Sequence, residues 1–397
     1  MDFTNLKKFL DSMVATRRTP GCAVTVYKDG KLAFVHTAGV SDIESGTRMN
    51  GEEYFNIYSC SKVLTVTAGA QLLERGAFLL SDPLYDYVPE YKHMYIKDAE
   101  GNVTEAKNPI TVGDLFTMSA GFDYDFNSPA IAALREKNPA YTTEDFLRAR
   151  ASDTLHFEPG THWRYSHCHD LLGGFISVVT GKKFRDYVKE NILDPLDMDK
   201  AVYHRTPEIM AKMASQYTFV PEDKTQQELS IVEAQMFGNA KEGYFKNVGK
   251  AISGRYEDSP EFDGGGAAIA TTMGDYAKLA AALSCGGLGA TGERILSPKT
   301  VELMKVNRLN EQQLADFNWK QLLGHGYGLG VRTHLDKSVS GLNANLGEFG
   351  WGGAAGSNVI IDTDEKICVF FVQHVLNPRE EWYQPRLINV VYSCLDK

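Results

Sequence analysis

Two hairpin signals, one near each end of the chain, constrain the fold more tightly than anything between them. In the first, Gly21-CAVTVYK and KLAFVHTAGVSD flank Asp29-Gly30, a dipeptide that accepts the positive φ angles of a tight two-residue turn. In the second, SNVIIDTDEKICVFFVQHV sets two apolar runs on either side of Asp362-Thr363-Asp364-Glu365. Between the hairpins, apolar residues recur at helical intervals over 111–118, 143–150, 170–179 and 184–193, broken by Pro and Gly. The opening MDFTNLKKFLDSMVATRRTPG reads as an amphipathic helix and 379–396 as a last helix. Gly264-Gly265-Gly266 leads into another helix, from near Thr271-Thr272 to Gly286-Gly287. This order predicts that the two ends of the chain meet in one antiparallel sheet while the middle forms a helical lobe, with a cleft between them. The expected class is therefore α+β. Residues 1–80 and 263–397 supply the sheet lobe, and 81–262 the mostly helical lobe. A polar stretch near 219–262 suits a lid, a dimer contact or an irregular insertion.

Composition narrows the function classes. With 43% hydrophobic and 23% charged residues the chain reads as soluble and globular, and 397 residues suffice for two lobes. The 41 basic and 51 acidic residues give a formal charge of −10 with no Lys/Arg run, which argues against nucleic acid or an anionic membrane as partner. No apolar stretch approaches the length of a spanning helix, and the first residues lack the uninterrupted apolar core of a secretory signal, so a cytoplasmic location is expected. The six cysteines, 22, 60, 168, 285, 368 and 394, are dispersed and read as buried thiols. Cys168 stands between His167 and His169, but neighbours in sequence point in different directions, so no metal site is expected. There is no H-E-x-x-H, P-loop or G-x-S-x-G, and no cofactor is expected. Association into a homo-oligomer is left open.

The chemistry centres on Tyr58-Ser59-Cys60-Ser61-Lys62, the only S-x-x-K in the chain. From Ser61 to Arg75 the apolar residues Val63, Leu64, Val66, Ala70, Leu72 and Leu73, closed by Gly76, describe a buried helix with Ser59 at its start. Residues three apart share a helical face, which brings the Lys62 amine to Ser59 Oγ. The helix N-terminus opposes a protonated Lys62, so a lowered lysine pKa and an activated serine are predicted. Taken alone, S-x-x-K also arises by chance, with Ser59 as an N-cap and Lys62 as a solvated first-turn residue.

Two further segments supply what a serine nucleophile lacks. Tyr165 follows a Pro159-Gly160 turn and precedes a helix, so its phenol can enter the cleft as a proton carrier; core packing is the plainer role for one of 19 tyrosines. Phe349-Gly350-Trp351-Gly352-Gly353-Ala354 lets backbone approach a ligand closely, and the N–H groups of Ser59 and Ala354 would form the oxyanion hole. A glycine-rich bulge plugged by Trp351 is the competing account.

In this order the three elements resemble the serine β-lactamase and penicillin-binding-protein superfamily, and within it class C β-lactamases and family VIII carboxylesterases. The resemblance runs over nearly the whole chain through Met118-Ser119-Ala120-Gly121, Pro159-Gly160 before Tyr165-Ser166, Thr271-Thr272 after the glycine run, Tyr327-Gly328-Leu329-Gly330 and Trp351-Gly352-Gly353. It implies a β-lactamase/DD-peptidase-like fold, Ser59 as the acylated nucleophile, Lys62 and Tyr165 as proton carriers, and Ala354 as an oxyanion donor. Substrate contacts are then expected at Trp351, Gly352, Gly353, His167 and Phe122.

Two departures bear on substrate. Tyr165-Ser166-His167 stands where Tyr-x-Asn is usual, and Trp351-Gly352-Gly353 where Lys-Thr-Gly is usual. Losing the lysine removes a charge-assisted contact of ~1.5–3 kcal/mol, roughly ten- to a hundred-fold in affinity for a carboxylate-bearing lactam or peptide. A small-molecule ester with a short acyl or compact aromatic group is the expected substrate. An amidase or D-amino-acid peptidase, a weak β-lactamase and an acyltransferase are the enzymatic alternatives. A non-catalytic binding protein on the same fold is the alternative of another class.

Overall fold

Asp29 and Gly30 take φ angles of 51° and 71°, and across them β1 (Gly21–Lys28) pairs with β2 (Lys31–Asp42). The second hairpin joins β7 (Asn358–Asp362) to β8 (Ile367–Gln373), with Lys366 at φ 49°. The computed structural model describes residues 1–222, 243–252 and 254–395. Strands β1 and β8 pair antiparallel from Cys22 opposite Gln373 to Lys28 opposite Ile367, so the two ends of the chain do meet in one sheet. With β3 (Thr47–Arg48), β4 (His325–Tyr327), β5 (Arg332–His334) and β6 (Phe349–Gly352), the sheet has eight strands in the order β4-β5-β6-β7-β8-β1-β2-β3.

Helices cover both faces of this sheet, which is why β8 reads as an unbroken apolar run rather than an alternating one. Ile367, Val369 and Phe371 join Val24 and Val26 against Leu6, Leu10 and Met13 of α1 (Thr4–Ala15), and the C-terminal helix brings Leu387 and Val391 to the same side. The alternate residues Cys368 and Phe370 meet Ala277 and Tyr276, which belong to the helix Met273–Ser284. Each fully buried side chain of this kind contributes about 1.5–3 kcal/mol. Because both faces are apolar, polarity alone does not set the register, and the two tight turns do.

The helix predicted from Ser61 is α2 (Ser61–Glu74), with Gly76 at φ 72° behind it. It runs beside α3 (Cys168–Thr180) in the larger apolar cluster, which contains Leu64, Val66, Leu171 and Leu172. The segment read as one helix over 184–193 is α-helical from Phe184 to Val188 and widens to a π turn over Lys189–Leu193, ahead of Pro195. Of the polar stretch near 219–262, residues 223–242 and 253 lie outside the described residues. Its described arms, Gln216–Pro221 and Gly243–Gly249, are antiparallel strands. Among the described residues no helix is long and apolar enough to cross a membrane, and all six cysteines are free thiols.

Candidate active site

Ser59 sits in a single 3₁₀ turn, Tyr58–Cys60, that runs directly into α2. Tyr58 before it takes φ 45°, a left-handed backbone that costs a bulky residue roughly 1–2 kcal/mol. Such strain persists only where the surroundings over-determine it. Here the Tyr58 phenol donates to Gln216 Oε1 at 2.6 Å, Tyr276 OH donates to the Cys60 carbonyl at 2.6 Å, and Ser357 Oγ donates to the Ile57 carbonyl at 2.7 Å. Ser61 Oγ accepts from the Ile269 N–H at 3.1 Å. The Ser59 turn is thus held from several sides at once, the Met273–Ser284 helix among them.

Lys62 is fully buried one turn along α2. Its ammonium donates to Ser59 Oγ at 3.2 Å, Tyr124 OH at 3.2 Å and the Gly266 carbonyl at 2.7 Å, which engages all three of its protons. The Tyr165 phenol donates to the same Ser59 Oγ at 2.5 Å. The rings of Tyr165 and Tyr124 stack at 5.4 Å and 18°, with Lys62 Nζ 4.8 Å from the first and 5.2 Å from the second. The structure therefore brings Ser59, Lys62 and Tyr165 together, and adds Tyr124.

The lowered lysine pKa predicted from the helix dipole does not hold. Burial pulls Lys62 down, but Tyr124, Tyr165 and the Asp170 carboxylate outweigh it and hold the ammonium above the ordinary lysine range. Asp170 is itself fully buried on α3, its Oδ1 accepting the Gly266 N–H at 2.8 Å. Burial pushes its carboxyl up to about 6, opposed by Lys62. Tyr124 OH is also hydrogen-bonded to Tyr256 OH at 2.6 Å, and burial drives both phenols upward. Lys62 is thus a fixed cation between two phenols rather than a neutral amine.

Two expected substrate contacts are corrected. His167 is fully buried behind Tyr124, its ring 4.4 Å from Tyr124 and 4.2 Å from Phe126, and neither ring nitrogen has a hydrogen-bond partner. Burial, then Arg150 and Lys62, hold it neutral with a pKa well below 6.5. Phe122 is 1% exposed and packs on Tyr91, with the Arg150 guanidinium 5.0 Å over its ring. Gly121 at φ 97° turns the chain there, and the nearby residue that reaches Lys62 is Tyr124.

The pocket in front of Ser59 opens to solvent, and Tyr165, Trp351, Gly352, Gly353 and Ala354 line it with the serine. Trp351 is only 3% exposed and forms a wall, stacked on Tyr165 at 5.9 Å and joined by Trp319 at 6.0 Å. Gly353 is obligatory, since a Cβ there would lie 2.2 Å from both the Ile57 carbonyl and Ser357 Oγ. The far wall carries Arg332, whose guanidinium is bidentate to Glu348 at 2.7 and 2.9 Å.

Sequence reasoning missed Tyr124, Asp170, Trp319 and the wall residues Glu380 and Gln384. For Asp170 a signal existed: a lone acid in the otherwise apolar run Leu171-Leu172-Gly173-Gly174-Phe175-Ile176 that follows it. The others lie in segments that carry no recognised motif.

Comparison with known proteins agrees with this architecture. The family model described as Beta-lactamase matches residues 6–392. The uncharacterized protein MT1414 of Mycobacterium tuberculosis is 27% identical over 369 residues, covering 89% of this chain and 86% of the relative. Esterase EstB of Burkholderia gladioli is 24% identical over 375 residues, covering 90% and 86%. Among solved structures, EstCE1, described as a hydrolase with promiscuous acyltransferase activity, superposes with a TM-score of 0.76 at 21% identity, covering 98% and 97% of the two chains.

Proposed function

The chain belongs to the beta-lactamase family, and from that membership we propose that it is a serine carboxylesterase working through an acyl-enzyme on Ser59. The observation that carries this reading is the double contact on Ser59 Oγ, 2.5 Å from Tyr165 OH and 3.2 Å from Lys62 Nζ. With the Lys62 ammonium beside it, Tyr165 as phenolate takes the serine proton while Oγ attacks the ester carbonyl. An Oγ–C bond forms, and the carbonyl electrons move to oxygen, where the N–H groups of Ser59 and Ala354 stabilise them. The intermediate collapses by breaking the C–O bond to the alcohol, and Tyr165 returns the proton to the departing oxygen. Water then attacks the acyl-enzyme by the same route and releases the acid.

The ester preference rests on charge. No lysine occupies position 351, and the guanidinium on the wall, Arg332, is already neutralised by Glu348. Among the described residues a lactam or peptide carboxylate would find no unpaired cation on the pocket wall, while a short acyl or compact aromatic ester meets the rings of Tyr165, Trp319 and Trp351. Transfer of the acyl group to an alcohol is a second reading, favoured by the same aromatic wall and by the activity named for EstCE1.

Initial rates on p-nitrophenyl butyrate and on a chromogenic cephalosporin, for wild type and Ser59→Ala, test the proposal. Ester turnover lost in Ser59→Ala with little lactam cleavage is expected. Dominant lactam cleavage overturns the substrate class, and turnover surviving in Ser59→Ala overturns the nucleophile. Added butanol that yields butyl butyrate in place of butyrate would favour acyl transfer.

A further inference from the structure

The pocket wall beyond Gly352 is acidic. Arg379 takes φ 57° and ψ 49°, which turns the chain after Pro378 and starts the helix Glu380–Tyr392 at the pocket edge. Glu380 and Gln384, one turn apart, line the pocket together with Gln321. A Cβ on Gly352 would lie 3.5 Å from Glu380 Oε1 and 2.9 Å from Gln384 Nε2, so both end groups stand over the end of β6, two residues before Ala354.

Glu380 lacks the counter-ion that its neighbours have. Glu381 has Lys320 at 3.5 Å, and Arg332 has Glu348. Among the described residues no ion pair forms to Glu380, whose Oε2 accepts only a neutral amide donor, Gln321 Nε2, at 3.2 Å. Burial, and then Glu381, push its carboxyl up to about 7, while the helix N-terminus on which it stands favours the ionised form. One acid without a counter-ion therefore remains on a wall that is otherwise apolar, amide or internally neutralised, and a cation placed against it would favour its ionised form.

Resting on the esterase reading, we propose that Glu380 is a substrate-recognition residue and that the pocket takes small carboxylic esters bearing a primary ammonium group. The ammonium would sit against the Glu380 carboxylate, with the amide oxygens of Gln321 and Gln384 as further acceptors for its protons. The position that attracts a carboxylate when it holds lysine is reversed in this chain: it is apolar at Trp351, with the acid Glu380 beside Gly352.

The test pairs two esters of equal shape, p-nitrophenyl 4-(aminomethyl)benzoate and p-nitrophenyl 4-ethylbenzoate, on wild type and Glu380→Gln, and reads the ratio of their kcat/KM values. A ratio of about tenfold or more for the ammonium ester in wild type, falling to about unity in the variant, is expected for one charge-assisted contact. A wild-type ratio near or below one overturns the proposal, as does a preference that persists in Glu380→Gln. Calorimetric titration of benzylammonium, with benzyl alcohol as neutral control, reads the same site without turnover. If neither ester is hydrolysed, the esterase reading falls, and the titration decides Glu380 alone. Benzylammonium binding that exceeds benzyl alcohol and weakens in Glu380→Gln supports it; equal or absent binding overturns it.

Discussion

Lys62 and Asp170 are buried on two sides of one glycine: Gly266 accepts from Lys62 Nζ at 2.7 Å through its carbonyl and donates its N–H to Asp170 Oδ1 at 2.8 Å. A Cβ on Gly266 would fall 2.5 Å from Asp170 Oδ2 and 2.9 Å from Tyr124 OH, so only glycine lets the three groups crowd together. A cation and an acid are thereby held at fixed separation beneath the serine.

Asp170→Asn follows from this arrangement. The carboxylate opposes loss of the Lys62 proton, since it favours the charged ammonium beside it. Removing that charge weakens the hold on the Lys62 proton, so the limb of the kcat/KM profile that reports Lys62 should move to lower pH. The stability profile gives a second reading. Asp170 has a folded pKa of about 6, above its unfolded value of 3.8, so the wild type loses stability as pH rises from about 4 to 6. Asp170→Asn should not show that loss. A limb that stays in place would mean that Asp170 acts only as packing.

Tyr124→Phe removes one acceptor of Lys62 and the partner of Tyr256 OH while keeping the ring that stacks on Tyr165. One hydrogen bond to a charged group is worth ~1.5–3 kcal/mol, so kcat/KM on the ester should fall roughly ten- to a hundred-fold. Tyr165→Phe, which removes the proposed proton carrier, should cost on the order of 10²–10⁴-fold. Steady-state rates that rank the two the other way would assign the proton transfer to Tyr124.

What the sequence made legible were features built from local chemistry. The Asp29-Gly30 turn, the S-x-x-K helix start and the glycines that permit close approach each follow from a few adjacent residues. Trp319 and Glu380 reach the pocket, and Tyr124 reaches Lys62, from segments distant in sequence, and only tertiary packing brings them in. The lysine pKa failed for the same reason: the helix dipole is local, whereas Tyr124, Tyr165 and Asp170 arrive from elsewhere and outweigh it. His167 failed because the sequence shows a polar residue beside the motif but not the ring cluster that encloses it.

Trp351→Ala should separate wall from mouth. An indole that merely capped an open pocket would be lost at little cost, but Trp351 is 3% exposed and contacts Tyr165, Trp319 and Tyr327. Truncation should lower stability by about 3–5 kcal/mol in denaturant melts and reduce kcat by loosening Tyr165. Trp351→Lys should likewise destabilise, because its charge would be enclosed by rings, and it should not create an efficient lactamase.

His167→Phe is expected to be tolerated, which an ordinary substrate-contacting histidine would not be. Both ring nitrogens are buried without partners, and the surroundings are the rings of Tyr124, Phe126 and Phe146. Removing unsatisfied polar atoms should leave stability at pH 7 unchanged or raise it by about 1 kcal/mol, with kcat within roughly twofold of wild type. The acid side carries the sharper signal. With a folded pKa well below its unfolded value of 6.5, His167 binds a proton only on unfolding, so wild-type stability from this site is full above that pH and falls as pH drops. Melts between pH 7 and 5 should therefore show a smaller loss in His167→Phe than in wild type. An equal loss, or a collapse of ester turnover at pH 7, would return His167 to the substrate pocket.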